Sequence, residues 1–256
     1  MKSKVFRLLI AGLFIFFILP QVRSQTTQRF SKQVYVDDQG DSLQYRLLYP
    51  DANPHRKYPL VIFLHGSGER GNDNEAQLQW GVMQFATDDN MMLHPAVVIA
   101  PQCPKGLTWS NFDRTTMQLN PEPSQPMRLL LGLIQKMIET MPVDTNRIYI
   151  TGLSMGGFGT FDALARRADL FAAAVPVCGG GDTSKAASFA QVPIWIFHGA
   201  DDPSVNVGLS QAMLKALTDA GARPGYTQYP EVGHFSWIEA YRDPMMLEWL
   251  FRQQKN

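Results

Sequence analysis

The chain has 256 residues, a formal net charge of zero and no run or stripe of basic side chains. Nucleic acids and anionic membrane surfaces are bound through clustered lysine and arginine, so this charge balance argues against both as partners. The two cysteines, Cys103 and Cys178, are too few for a disulfide scaffold. Each ends an apolar run, so they could pair in an oxidising compartment or remain two separate buried thiols.

The N-terminal segment has the pattern of an export signal. Three basic residues precede an uncharged apolar run at 8–19, and residues 20–24 offer a cleavage site. The run of about twelve residues is too short to span a bilayer comfortably, where about twenty are needed; an uncleaved anchor is the alternative. We expect residues 1–24 to be a signal peptide and 25–256 a single exported domain, periplasmic or secreted, without stable membrane association.

Apolar runs and helical periodicities alternate along the rest of the chain. Residues 32–36 and 43–49 predict two strands that form a β-hairpin around the turn-forming residues 37–41. Continuously apolar runs, typical of strands buried on both faces, follow at 60–64, 97–100, 147–150, 172–177 and 194–197. Helices are predicted at 127–140, 155–167, 204–220 and 237–252, and a last strand at 226–229. This order predicts an α/β fold, a mostly parallel sheet with helices on both faces.

The strand predicted at 147–150 leads into Gly152-Leu153-Ser154-Met155-Gly156. Gly-x-Ser-x-Gly is the sequence form of a strand, a sharp turn and a helix with a serine at its apex. The glycines allow the strained turn without side chains that would collide with the strand and the helix. Ser154 is therefore the candidate nucleophile, and the amide of Met155, at a helix N-terminus, is a candidate donor to an oxyanion.

Functional residues of parallel sheets lie at the C-terminal ends of the strands. The segments that follow the predicted strands can therefore supply the other residues of the site. After 60–64 comes His65-Gly66-Ser67-Gly68, whose turn can point a second amide at the oxyanion. We predict the amide of Ser67, with that of Gly68 as the alternative. His65, directly before the turn glycine, is expected to order the loop rather than act as the base.

The acid and the base should follow in the chain order Ser, acid, His. Asp202 comes after the strand at 194–197 with the spacing His-Gly-x-x-Asp-x-x-Val, and Asp201 is the alternative one residue away. Either aspartate could instead cap the next helix. His234 is the only histidine after Asp202. The sequence therefore predicts a triad of Ser154, His234 and Asp202.

With these residues the chain resembles a serine hydrolase of the α/β-hydrolase superfamily. It is similar to exported bacterial esterases described as polyhydroxybutyrate-depolymerase-like, feruloyl-esterase-like or "predicted peptidase". The resemblance runs from about residue 58 to the end through matching blocks at 63–71, 100–104, 152–157, 178–182, 198–202 and 233–237. Gly-x-Ser-x-Gly is common to the superfamily, whereas Gly-Glu-Arg-Gly and Cys-Gly-Gly-Gly-Asp are narrower. The resemblance implies ester hydrolysis through an acyl-enzyme with no metal or cofactor, and it fixes neither the acyl group nor the alcohol.

The substrate expectation follows from a short connection. Only 15 residues lead from Cys178 to Pro193, too few for the helical lid that many superfamily members insert there. An open site suits an ester on a polymer better than a free lipid. Trp109 and Trp237 are candidates for an aromatic wall beside Ser154, although both could simply pack in the core. We expect a carboxylic ester hydrolase for short or aromatic acyl esters such as those on plant polysaccharides. A peptidase, a polyester depolymerase and a degenerate fold used only for binding are the alternatives.

Overall fold

The computed structural model describes residues 27–50, 53, 55–113 and 115–255. The predicted signal peptide at 1–24 lies outside these residues. In the described ranges, no helix combines the length and the apolar character needed to cross a membrane.

Strands and helices alternate along the described chain, as the sequence predicts. The strands are β1 (Phe30–Val36), β2 (Ser42–Leu48), β3 (Tyr58–Leu64), β4 (Val97–Pro101), β5 (Phe112–Asp113), β6 (Gln118–Leu119), β7 (Val143–Leu153), β8 (Ala173–Val177), β9 (Trp195–Gly199) and β10 (Gly225–Tyr229). The helices are α1 (Asp88–Leu93), α2 (Gln125–Thr140), α3 (Met155–Arg167), α4 (Gly208–Asp219), α5 (Trp237–Arg242) and α6 (Pro244–Arg252).

Eight of these strands form one sheet in the order β1-β2-β4-β3-β7-β8-β9-β10, while β5 and β6 form a separate small hairpin. β2 runs antiparallel to both β1 and β4, and every pairing from β4 through to β10 is parallel. The predicted N-terminal hairpin is therefore the antiparallel edge of a mostly parallel sheet. The predicted α/β fold class is confirmed.

Helices cover both faces of the sheet because its central strands are apolar on both sides. Along β3, Leu60, Ile62 and Leu64 face the layer that contains α2, α3 and α4, whereas Val61 and Phe63 face the layer of α5 and α6. The cysteines follow the same division. Cys103 packs in the first layer and Cys178 in the second, and both are free thiols. Since the sheet lies between them, the disulfide left open by the sequence does not form.

The two largest departures from the predicted helices have local causes. The helix predicted at 237–252 is broken into α5 and α6, because Pro244 opens α6 and Asp243 caps it by accepting from the amide of Met245. The helix predicted from 204 begins only at Gly208. The residues before it form a turn around Asp202, whose carboxylate accepts from the amides of Ser204 and Val205.

A buried ion pair fastens the long connection between β4 and α2 to helix α3. Asp162, with a fully buried side chain, bonds to Arg166 one turn later and accepts from the amide of Asn111 at 3.0 Å. Arg166 in turn donates to three carbonyl groups of the connection, those of Asn120, Pro121 and Glu122. The pair therefore holds this segment against the helix that begins at Ser154.

We expect Asp162→Ala to lower the free energy of unfolding by about 3 kcal/mol, because it leaves the charge of Arg166 and the amide of Asn111 without their buried acceptor. Urea denaturation followed by circular dichroism measures the change. The matched control is Lys215→Ala, which breaks the exposed pair between Lys215 and Asp219. It should cost about 0.5 kcal/mol or less. Equal losses in the two variants would contradict the structural role of Asp162.

Candidate active site

Ser154 lies at the sharp turn between β7 and α3. Its backbone has φ 52° and ψ −114°, a strained conformation for a residue with a side chain. The surrounding glycines make the turn possible: a Cβ atom on Gly156 would collide with the carbonyl oxygen of Leu64, and one on Gly152 with that of Gly156. The amide of Ser154 donates to the carbonyl of Val177 at 2.9 Å. The turn is thus clamped between the ends of β3 and β8.

A continuous hydrogen-bond chain leads from this serine to a buried carboxylate. The Oγ atom of Ser154 lies 3.0 Å from Nε2 of His234, and Nδ1 of the same ring lies 2.7 Å from Oδ2 of Asp202. Because the carboxylate can only accept, Nδ1 carries the proton and Nε2 is free to accept from the serine hydroxyl. The structure thus brings together all three predicted triad residues, each from a loop at the C-terminal edge of the sheet.

The geometry distinguishes the two candidate aspartates. The side chain of Asp202 is fully buried, and its other oxygen accepts from the amides of Ser204 and Val205 at 2.8 and 2.9 Å. Burial alone would raise the pKa of Asp202, but the hydrogen bonds from His234 and these amides hold it below its usual value. Asp201 is exposed, and its amide bonds to the carbonyl of Val232. Asp202, not Asp201, therefore contacts the histidine.

A second histidine, His198, contacts the same carboxylate. Its Nε2 atom lies 3.2 Å from Oδ2 of Asp202 and 3.0 Å from the carbonyl of Val205, and its Nδ1 atom lies 2.7 Å from Oγ of Ser210. Burial lowers the pKa of His198, which favours the neutral ring. The ring of His198 therefore connects Ser210 to Asp202 and helps to hold Asp202 in position. His198 opens the His-Gly-x-x-Asp spacing that identified Asp202, although no role is predicted for it from the sequence.

His65 orders its loop, as expected. Its Nε2 atom accepts from the amide of Cys103 at 2.9 Å, so the proton is on Nδ1, which contacts the carbonyl of Gly66. Burial lowers the pKa of His65 to about 4, although the bond to Gly66 acts in the opposite direction. Both ring nitrogens are engaged by backbone groups, so His65 holds the end of β3 against the end of β4.

The prediction for Trp109 is wrong. This side chain is 0% exposed and packs in the core, where its indole N–H donates to the carbonyl of His65 at 3.1 Å. Trp109 therefore packs on the core side of the loop that begins at His65 and has no exposed surface for a substrate. Trp237 lies where the sequence suggested: its ring centroid is 5.1 Å from that of His234, edge to face, although only 5% of the residue is exposed. Its role in binding stays a prediction.

The two candidate oxyanion donors belong to adjoining segments. Met155 is the first residue of α3, and Ser67 begins the 3-10 turn Ser67–Glu69 directly after β3. The first turn of α3 lies against the end of β3, since a Cβ atom on Gly156 would meet the carbonyls of Leu64 and His65. Both predicted amides therefore come from backbone segments that are in contact beside Ser154.

Comparison with known proteins agrees with this architecture. The chain matches the family described as phospholipase/carboxylesterase over residues 50–244. The chain belongs to the phospholipase/carboxylesterase family.

Similar proteins with solved structures or known names give further detail. A thermostable esterase superimposes with a TM-score of 0.85 at 42% identity, over 90% of this chain and 64% of that one. A bifunctional acetylxylan esterase/xylanase of Neocallimastix patriciarum is 26% identical over 72% of this chain, which spans only 26% of that protein. Acyl-protein thioesterase 1 of Neurospora crassa is 28% identical over 75% of this chain and 86% of its own length. The predicted α/β-hydrolase fold is thereby confirmed.

Many α/β-hydrolases insert a lid in the connection that corresponds to the one between β8 and β9. In this carboxylesterase-family chain that connection is short. Between β8 and β9 the chain forms the 3-10 helix Thr183–Phe189 and returns to the sheet. Asp182 accepts from the amide of Leu119, which ties this connection to the β5–β6 hairpin. No helical cap is inserted at this point of the described chain.

One cluster in the described residues has the side chains of a metal site. Atoms of Cys178, Asp202 and His234 lie within 4.8 Å of one another. Burial raises the pKa of the Cys178 thiol to about 12, so it is protonated at neutral pH. A metal ion would have to remove that proton and break the bond between His234 and Asp202. The cluster is therefore better suited to the hydrogen-bond chain than to metal binding.

We expect Asp202→Asn to lower kcat for ester hydrolysis on the order of 10^4-fold, because a neutral amide in place of the carboxylate favours the wrong tautomer of His234. Asp201→Asn is the matched control and should leave kcat nearly unchanged, because the side chain of Asp201 is exposed and is not part of the hydrogen-bond chain from Ser154 to Asp202. Initial rates with a nitrophenyl ester give both values. A larger loss in the control would show that Asp201 is the acid.

Proposed function

We propose that the protein is a serine carboxylic ester hydrolase with Ser154 as nucleophile, His234 as general base and acid, and Asp202 as the group that orients His234. The observation that supports this most is the unbroken hydrogen-bond chain from Ser154 at the strained turn, through His234, to the buried carboxylate. The same three roles recur wherever a hydrogen-bond chain of serine, histidine and carboxylate performs acyl transfer.

In the proposed mechanism, Nε2 of His234 takes the proton of Ser154 as Oγ attacks the ester carbonyl. The amides of Met155 and Ser67 donate to the oxyanion of the tetrahedral intermediate. His234, now an imidazolium, is stabilised by Asp202 and returns its proton to the departing alcohol oxygen as the C–O bond breaks. Water then attacks the acyl-enzyme, with His234 again as base, and the acid product leaves.

We further propose that the acyl groups are short or aromatic and that the ester is carried by a plant polysaccharide. The short connection between β8 and β9 supports an open cleft that a polymer can enter. The similarity to an acetylxylan esterase/xylanase agrees with an acetylated polysaccharide. The N-terminal signal pattern supports export to the periplasm or the medium, where such polymers are met.

A panel of substrates tests the reaction class. Acetyl, feruloyl and nitrophenyl esters, a poly(3-hydroxybutyrate) film and dipeptide amides should be compared under one set of conditions. Ester hydrolysis and labelling of Ser154 by a fluorophosphonate are expected. Peptide cleavage without ester cleavage would identify a peptidase on the same scaffold. Absence of both turnover and labelling would indicate a fold used for binding.

Ser154→Ala should lower kcat on the order of 10^3-fold or more, because it removes the attacking oxygen and leaves only binding and the oxyanion donors. The control is Ser188→Ala, which removes an exposed hydroxyl from the 3-10 helix between β8 and β9. Turnover of a nitrophenyl acetate and thermal melting should be measured for both. A Ser154→Ala protein that melts like the wild type yet keeps a tenth of its turnover would refute the assignment.

The acyl preference should follow from the uncapped cleft. Burial of a methylene group contributes about 0.8 kcal/mol, and an open cleft offers little apolar surface for a long tail. We therefore expect kcat/KM to peak at short or aromatic acyl groups and to fall beyond about eight carbons, with no interfacial activation. A nitrophenyl ester series measures this. Fastest cleavage of the laurate or palmitate would instead indicate a lipase-like pocket.

A further inference from the structure

An aromatic cluster adjoins the proposed base. The ring of Trp237 contacts both His234, at 5.1 Å between centroids, and Phe235, at 4.7 Å. Trp80 meets Phe235 edge to face at 5.9 Å and Trp237 at 6.2 Å. Trp237 is nearly fully buried and lies at the inner side of the cluster, whereas Trp80 is half-buried and Phe235 is 56% exposed. Phe235 and Trp80 therefore present aromatic surface next to His234.

A buried carboxylate adjoins this cluster. Glu69 ends the 3-10 turn after β3 and is buried. Its carboxylate lies beside Gly66, where a Cβ atom would be 3.0 Å from Oε2. Burial raises the pKa of Glu69, and the neighbouring amides of Gly66 and Glu69 and the indole of Trp80 act in the opposite direction. Glu69 therefore lies between the turn after β3 and Trp80.

The proton transfer by His234 determines which part of the substrate the aromatic cluster faces. When the tetrahedral intermediate collapses, His234 must give its proton to the alcohol oxygen, so the alcohol departs on the side of His234. The residue next to His234 in the chain is Phe235, and Trp80 lies against it. The acyl group lies on the other side of the carbonyl. Aromatic surface around His234 is therefore surface for the alcohol.

We propose that Phe235 and Trp80 form an alcohol-side subsite that binds the sugar ring carrying the ester. The inference rests on the proposed function and gives it a leaving-group specificity. The C–H bonds of a pyranose ring pack against the negative faces of aromatic rings, while its hydroxyl groups remain in water at an exposed site. A half-exposed Phe–Trp pair suits such an amphipathic ring better than a long alkyl chain, which gains little from a surface that remains in contact with water.

The test keeps the acyl group constant and changes the alcohol. We expect Phe235→Ala to lower kcat/KM for O-acetylated xylotriose about tenfold, the size of effect that an aromatic contact can provide. For ethyl acetate, which has a small alcohol, the change should be within about twofold, since the contact is lost only for a ring. Methyl ferulate, with an aromatic acyl group and a small alcohol, should also be unaffected. Phe235→Trp should restore the xylotriose rate.

The control variant is Met245→Ala, which removes another exposed large apolar side chain, at the start of α6. It should change no rate. Equal losses of Phe235→Ala on xylotriose and ethyl acetate would overturn the subsite, because Phe235 would then only support the loop of His234. A loss confined to methyl ferulate would assign the cluster to the acyl group, and unchanged rates would also refute it.

These outcomes are separate from failure of the proposed function. A Phe235→Ala protein that still hydrolyses ethyl acetate and reacts with a fluorophosphonate, but shows no selective loss on xylotriose, refutes the subsite alone. A wild-type protein that neither hydrolyses esters nor reacts with the fluorophosphonate refutes the hydrolase itself. Trp80→Ala is a second variant for the same comparison of xylotriose with ethyl acetate. Its thermal melting verifies that the variant is folded.

Discussion

The close contact between the first turn of α3 and the end of β3 is the constraint on which the rest of the site depends. A side chain at Gly156 would collide with the carbonyl of Leu64, so only glycine allows the helix to begin there. This contact keeps Ser154 in its strained turn and brings the amide of Met155 beside the loop that contains Ser67. The geometry is a property of backbone packing and would be lost if α3 moved outward.

Three histidines show how burial assigns different tasks to one side chain. His65 and His198 are buried, with pKa values lowered by desolvation, and their ring nitrogens are occupied by backbone groups or by Ser210 and Asp202. They act as fixed connectors. His234 is partly exposed and bonds only to the buried carboxylate and the serine hydroxyl among the described residues. Of the three, it alone combines a fixed tautomer with a partly exposed ring.

Glu69 and Asp202 are two buried carboxylates with different surroundings. Asp202 accepts from two amides and lies between two histidines, and its pKa is lowered. Burial outweighs the donors around Glu69, so its pKa is raised. The carboxylate of Asp202 bonds to His234, whereas that of Glu69 lies between Trp80 and the turn after β3. The two carboxylates thus belong to different parts of the site.

The sequence by itself predicted that Ser154, His234 and an aspartate at 201 or 202 belong to one site, because each follows a buried strand in a chain order that the fold requires. It also predicted the α/β alternation, since apolar periodicity reports which elements are buried. Periodicity does not report which element a side chain meets. Only the tertiary structure decided that Trp109 lies beneath His65, that the cysteines are separated by the sheet, and that Asp202 rather than Asp201 faces the histidine. These outcomes depend on strand order and on the direction of side chains at strand ends, which arise only when distant segments pack together.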